Sequence, residues 1–325
     1  MSAGVSLQGL TRRFGAVTAV EELTFEVGAG ELFGIVGPDG AGKTTTLRML
    51  AGVLPPSAGD ALVGGVSVAR APEAVKPRIA YMAQRFGLYE DLTVRENLAF
   101  YADLFRVPRA ERPARLERLY AFSALDPFKD RLAGALSGGM KQKLALMCSL
   151  IHQPDVLLLD EPTFGVDPIS RRDLWLILHE MVAAGVTIVV STAYLDEAER
   201  CDRVALLHEG RVRALDTPAA LQASLPGELL LVHTDRPRAA RDALRALPRV
   251  RRAALFGEVV HTFMAAPGGG GAPGGGAREA SSGGEAAVRA ALAAAGVAVR
   301  EVRRGEPSLE DVFIELTAPE PAEAT

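Results

Sequence analysis

Cysteine is scarce in this chain of 325 residues: the 2 present, Cys148 and Cys201, are too few for a disulfide framework. A reducing cytosol suits them, each as a small buried residue rather than a reactive thiol. No apolar run approaches the roughly 20 residues that cross a bilayer, so any membrane crossing is expected from another chain. The opening MSAGVSLQGLTRRFG has no apolar core region, which predicts no signal peptide. An excess of one charge is also missing. The 36 Lys and Arg against 40 Asp and Glu leave a net charge of -4, which gives no electrostatic case for nucleic acid or an anionic membrane surface. The 5 histidines, His152, His179, His208, His233 and His261, show no spacing that suggests a metal. The single tryptophan, Trp175 in DLWLILHEMV, is expected in the core, and Met140, Met147 and Met181 in helix packing.

What is present is an α/β pattern. The length suggests about two domains, and 48% hydrophobic residues allow a sizeable core. Strands are expected at 5–10, 23–27, 32–36, 79–82, 156–160, 186–191 and 204–207, and helices at 43–53, 94–105, 110–123, 138–152, 170–184 and 194–199. LFGIVG, VLLLD and VTIVVS are continuous apolar runs, as a sheet covered on both faces requires. Residues from about 85 to 152 read as a helical insert, and the first domain spans 1–220. A small α+β domain is expected over 225–317, interrupted by a flexible loop rich in glycine, proline and serine at 267–284. Residues 318–325 read as a disordered tail. Arg241, Arg245, Arg249, Arg251 and Arg252 form a basic cluster, read as a solvated helix face with lipid contact as the alternative.

GPDGAGKTT, residues 37–45, follows a strand and opens a helix, and so matches the phosphate-binding pattern G-x-x-x-x-G-K-[ST] in its required setting. Gly40 and Gly42 let the backbone curl so that N–H groups face phosphate oxygens, and the helix dipole adds positive charge there. Lys43 reaches the β- and γ-phosphates, the Thr44 hydroxyl can ligate Mg²⁺, and Thr45 adds a second hydroxyl. VLLLDEP, residues 156–162, ends in two acids. Alone these read better as helix N-terminal acids. Beside the phosphate loop, Asp160 is the candidate to hold Mg²⁺ through water and Glu161 to polarise the attacking water. LSGGMKQKLAL offers Ser137 as an N-cap, with Gly138 and Gly139 leaving a second helix start open to an anion. Two anion sites on separate elements make sense if two chains meet head to tail, each closing the other's nucleotide.

With these strings the chain resembles the ATP-binding cassette (ABC) ATPases over about residues 5–220. GPDGAGKTT resembles their Walker A motif, LSGGMKQKL their signature and LLLDEP their Walker B. The resemblance implies a P-loop cassette with a helical insert, and ATP and Mg²⁺ as ligands. It implies nucleotide contacts from Gly37, Pro38, Asp39, Gly40, Ala41, Gly42, Lys43, Thr44 and Thr45, and adenine stacking on Phe14. Gln84 matches the glutamine that links Mg²⁺ to the membrane partner, and Asp167 in GVDP matches a residue crossing the dimer interface. Ser137, Gly138 and Gly139 would act in trans.

EPSLEDVFIELT resembles the end of ABC-2-type export ATPases. The motif surroundings look closest to the N-terminal half of exporters that carry two ATPase halves in one chain. The resemblance therefore implies an ATPase that powers export of a drug-like or lipophilic substrate through a separate ABC-2-type permease, held at the cytoplasmic face of the membrane, as a homodimer or with a second ATPase chain. In one respect the chain departs from the family: the histidine that contacts the γ-phosphate is replaced by Ala193, in a register fixed by LDEAERCDRV. The site is then expected to be slow, with Tyr194 a conceivable substitute, or to work beside a partner that keeps the histidine. The rival readings are a soluble ABC protein without a permease and a regulatory subunit with little catalysis.

Overall fold

The structure, a computed structural model, describes residues 3–84, 87–265 and 279–317. These fall into two compact units, one within 1–218 and the other within 219–318.

The first unit contains ten strands: β1 Ala3–Phe14, β2 Val17–Gly28, β3 Leu32–Val36, β4 Ala58–Val63, β5 Val66–Ser67, β6 Ile79–Met82, β7 Val156–Asp160, β8 Thr187–Thr192, β9 Arg203–His208 and β10 Arg211–Asp216. Its helices are α1 Lys43–Leu50, α2 Pro72–Val75, α3 Val94–Leu104, α4 Arg112–Ser123, α5 Gly138–Leu150, α6 Pro168–Ala183 and α7 Leu195–Ala198. A six-stranded sheet runs in the order β10-β9-β3-β8-β7-β6, with β3, β6, β7, β8 and β9 parallel. Every residue of β3, β7 and β8 is buried, because both faces of these strands are covered. A second, antiparallel sheet has the order β2-β1-β4-β5. α1 packs between the two, and Phe33, Ile35, Leu47 and Leu50 share one core with Val5, Leu7 and Val63.

Helices dominate from α3 to α5. α3 starts at a capping box in which the Thr93 hydroxyl accepts from the Glu96 N–H and the Glu96 carboxylate accepts from the Thr93 N–H. Trp175 is buried, as are Cys148 and Cys201, whose thiols burial pushes up.

The second unit carries α8 Pro218–Ala223, β11 Glu228–Thr234, α9 Pro237–Arg245, β12 Val250–Phe256, β13 Val259–Met264, α10 Glu279–Ala294, β14 Val299–Gly305 and α11 Leu309–Thr317. Its sheet, β12-β13-β11-β14, is antiparallel throughout. From β11 to β14 the order βαββαβ is the split βαβ, or ferredoxin-like, arrangement. Leu230, Val232, Leu244, Val288 and Leu292 form its core.

Two expectations need correction here. The loop expected over 267–284 ends earlier, because α10 begins at Glu279; residues 267–278 lie outside the described residues, as does the tail 318–325. The basic cluster is not one helix face. Arg241 and Arg245 lie on α9, whereas Arg251 and Arg252 lie on β12 and pair with Glu315 of α11 at 3.7 and 3.5 Å.

Candidate nucleotide site

The turns after β3, β6, β7 and β8 all open at the carboxyl edge of the parallel sheet, where ligands of such sheets bind. A cleft of about 450 Å³ lies there, lined by Ala19, Asp39, Gly40, Gly42, Lys43, Thr44, Thr45, Gln84, Glu161 and Phe164. Gly42 precedes α1 with φ 104°, and a Cβ on it would come within 2.6 Å of the Ala19 carbonyl oxygen. Glycine is therefore required here on two counts, conformation and space. No side chain caps α1 and no acid sits in its first turn, so its N–H groups present positive charge to an anion. Gly37, Pro38 and Ala41 complete the turn; the carbonyls of Gly37 and Pro38 accept from Lys43 Nζ at 2.8 and 3.1 Å.

Lys43 is only 4% exposed, and its Nζ lies 3.2 Å from Glu161 Oε1. The other carboxylate oxygen of Glu161 accepts from Gln84 Nε2 at 2.9 Å. Gln84 thus meets Glu161, not the Thr44–Asp160 pair. Glu161 itself sits at φ 49°, a conformation that costs a non-glycine residue about 1–3 kcal/mol. Its N–H donates to the Ser191 carbonyl at 3.2 Å and to Ser191 Oγ at 3.0 Å, which holds the turn.

Asp160 is buried and accepts from three hydroxyls: Thr44 at 2.9 Å and Ser191 at 2.8 Å on Oδ1, and Tyr81 at 3.2 Å on Oδ2. Among the described residues no lysine or arginine forms an ion pair with it. A buried carboxylate without a cationic partner, beside a hydroxyl, fits a hard divalent cation. Mg²⁺ takes one or two carboxylates, keeps several waters and draws its remaining ligands from phosphates. Thr44 and Asp160 are the residues that would hold it.

The remaining expected residues lie elsewhere. Phe14 ends β1, 48% exposed, with the Arg12 guanidinium 4.6 Å from its ring centroid. Ser137 caps α5, accepting from the Met140 N–H at 3.3 Å. Asp167 caps α6, accepting from the N–H groups of Ile169 and Ser170; those bonds, the one from Ser170 first, hold its carboxyl below the usual range. Gly139 faces Ser170, and a Cβ there would meet Ser170 Oγ at 2.2 Å. The signature turn and the start of α6 therefore touch each other, and neither lines the cleft.

Ala193 is exposed just after β8. The Tyr194 ring lies under the Arg171 guanidinium at 4.6 Å and is not part of the cleft lining. Behind this segment, buried Glu197 accepts from Thr163 at 2.9 Å and Thr192 at 2.8 Å, with Arg171 at 3.3 Å.

Sequence reading missed Ser191, Tyr81, Phe164 and Ala19. For Ser191 a signal existed: a serine inside the apolar run IVVS must find a partner once buried.

A family model described as ABC transporter matches residues 20–164. The "Probable multidrug ABC transporter ATP-binding protein YbhF" of Escherichia coli (strain K12) is 47% identical over 267 residues, covering 81% of this chain and 46% of that protein. The chain thus spans about half the length of this relative. The "Nod factor export ATP-binding protein I" of Burkholderia lata is 35% identical over 320 residues, 98% of both chains. A solved "ATP binding subunit of ABC transporter" superposes with a TM-score of 0.62 at 32% identity, covering 68% of this chain and 92% of its own. With the phosphate loop, the acidic strand end and full-length similarity to an export ATP-binding protein all in one chain, it belongs to the ATP-binding proteins of ABC transporters.

Proposed function

We propose that this chain binds ATP with Mg²⁺ and hydrolyses it to drive export of a drug-like or lipophilic substrate through a separate ABC-2-type membrane permease. One observation carries the chemistry: a single cleft gathers Lys43, Thr44, Gln84 and Glu161 at the carboxyl edge of a parallel sheet. The α1 N-terminus and Lys43 hold phosphate oxygens. Thr44 and Asp160 would hold Mg²⁺, which would supply charge neutralisation at the phosphates. Glu161, with its two carboxylate oxygens fixed by Lys43 and Gln84, takes the proton of the attacking water. Ser137, Gly138 and Gly139 close the nucleotide of a second ATPase subunit, with Asp167 at that interface. Phe14 supplies an adenine platform. No described helix is long and apolar enough to cross a membrane; in this reading the permease holds the chain at the cytoplasmic face. The names of the export relatives support the direction of transport.

Steady-state phosphate release tests the reading. Glu161→Gln is expected to cut Mg²⁺-dependent turnover by about 10²–10⁴, the range for a lost general base, with nucleotide still bound. Lys43→Ala is expected to abolish nucleotide binding. Unchanged turnover in Glu161→Gln sinks the assignment.

Ala193 favours a specific partnership. Neither Ala193 nor Tyr194 lines the cleft, so this segment offers no side-chain donor to a γ-phosphate. In this reading the chain pairs with a second ATPase chain that keeps the histidine. Its signature then serves the partner's site, and its own nucleotide acts mainly as interface glue. Brisk turnover by the purified chain alone, lost in Glu161→Gln, argues for the homodimer instead.

A further inference from the structure

Tyr81 touches two features at once. It lies on β6, and its ring lines an apolar cavity of about 270 Å³ together with Val53, Ile79, Tyr101 and Phe105. Its hydroxyl donates to Asp160 Oδ2 at 3.2 Å. The two oxygens of Asp160 are held differently. Oδ1 has two donors, Thr44 and Ser191, while Tyr81 is the one described donor on Oδ2. A carboxylate gripped at Oδ1 alone can still turn about its Cβ–Cγ bond. The Tyr81 bond stops that rotation and keeps the carboxylate plane aligned with the Thr44 hydroxyl. A phenol is protonated at physiological pH, so Tyr81 is the donor in this bond. The ring is packed against the main core, so the phenol cannot follow a moving carboxylate without disturbing the cavity wall.

We propose that Tyr81 is a positioning residue that fixes the orientation of the metal-holding carboxylate of Asp160 and so sets the Mg²⁺ affinity of the site. This rests on the reading of Thr44 and Asp160 as the Mg²⁺ holders. Partners that orient a metal ligand commonly matter by about 10–100-fold in affinity.

The test is a Mg²⁺ titration of the full chain, reading binding of a fluorescent non-hydrolysable ATP analogue. Tyr81→Phe keeps the packed ring and removes only the hydroxyl. It is expected to raise the Mg²⁺ midpoint about 10–100-fold while leaving metal-free nucleotide binding unchanged. Asp160→Asn is the control on the underlying reading and is expected to raise the midpoint further. An unchanged midpoint in Tyr81→Phe, with a shifted one in Asp160→Asn, overturns the positioning role alone. An unchanged midpoint in Asp160→Asn overturns the metal reading and the inference with it.

Discussion

A methyl group stands at Ala193, where the resemblance to ABC ATPases implies an imidazole in most of the family, and no neighbouring side chain replaces it. Tyr194, the nearest candidate, is committed to Arg171, and its N–H donates to Thr192 Oγ1 at 3.0 Å. Glu161, the proposed base, is turned by its left-handed backbone and braced by Ser191. One positioned donor at developing charge is worth about 10²–10³ in rate. Ala193→His is therefore expected to raise ATP turnover of the purified chain by at least about tenfold, and to add nothing in a Glu161→Gln background. Phosphate release in the four combinations measures this. Equal rates for Ala193→His and the natural chain mean that the segment does not reach the γ-phosphate.

At the scale of elements, the contact between α5 and α6 is a close test of packing. A Cβ on Gly139 would lie 2.2 Å from Ser170 Oγ and 2.3 Å from Ser170 Cβ, so the two helices must separate to admit alanine. Overpacking of this kind costs about 1–3 kcal/mol. Gly139→Ala is expected to lower the melting temperature, and Ser170→Gly, which removes both obstructing atoms, to restore it. An unrescued double variant means the loss arises in the turn itself.

Elements also mark where sequence reasoning reached and where it stopped. β3, β7 and β8 were legible as apolar runs because both their faces are covered. β4, β5 and β10 escaped. AGDALV holds glycine and aspartate at an exposed end, and RVRALD is half exposed along its length, so neither shows an apolar run or a clean alternation. β12 was hidden by arginines, two of which are satisfied by Glu315, a residue distant in sequence. The site divides in the same way. Residues 37–45 and 160–161 are contiguous strings whose chemistry follows from the backbone path. Ser191 reaches Asp160 only because β7 and β8 pair those two residues in register, and Tyr81 reaches it from β6 across the edge of the sheet. Pairing register is a tertiary fact that a motif does not contain.

At the scale of the molecule, the P-loop cassette expected from the motifs is joined in sequence to a unit with its own core and its own ionisable lock. In that second unit Asp311 is buried and accepts from His261 Nδ1 at 2.9 Å and from the Ser308 N–H and hydroxyl, each at 2.9 Å. Burial raises its pKa, but the bonds from His261 and Ser308 outweigh burial and leave the carboxyl below its ordinary value of 3.8. The sign follows: a carboxyl whose folded pKa is depressed adds stability that is fully present above 3.8 and is lost as pH falls through its folded pKa. Asp311→Asn keeps the shape but gives up charge-assisted bonds worth about 1.5–3 kcal/mol each. Nucleotide, bound by the first unit, raises that unit's stability by mass action and leaves a separately folding neighbour untouched. Scanning calorimetry of the full chain is thus expected to resolve two transitions at neutral pH. Mg²⁺ with a non-hydrolysable ATP analogue should raise one, and Asp311→Asn should lower the other. The effect of Asp311→Asn should shrink as pH drops below 3.8, because the natural carboxylate is then itself being neutralised. A single transition that responds to both nucleotide and Asp311→Asn shows instead that the two cores melt as one cooperative unit.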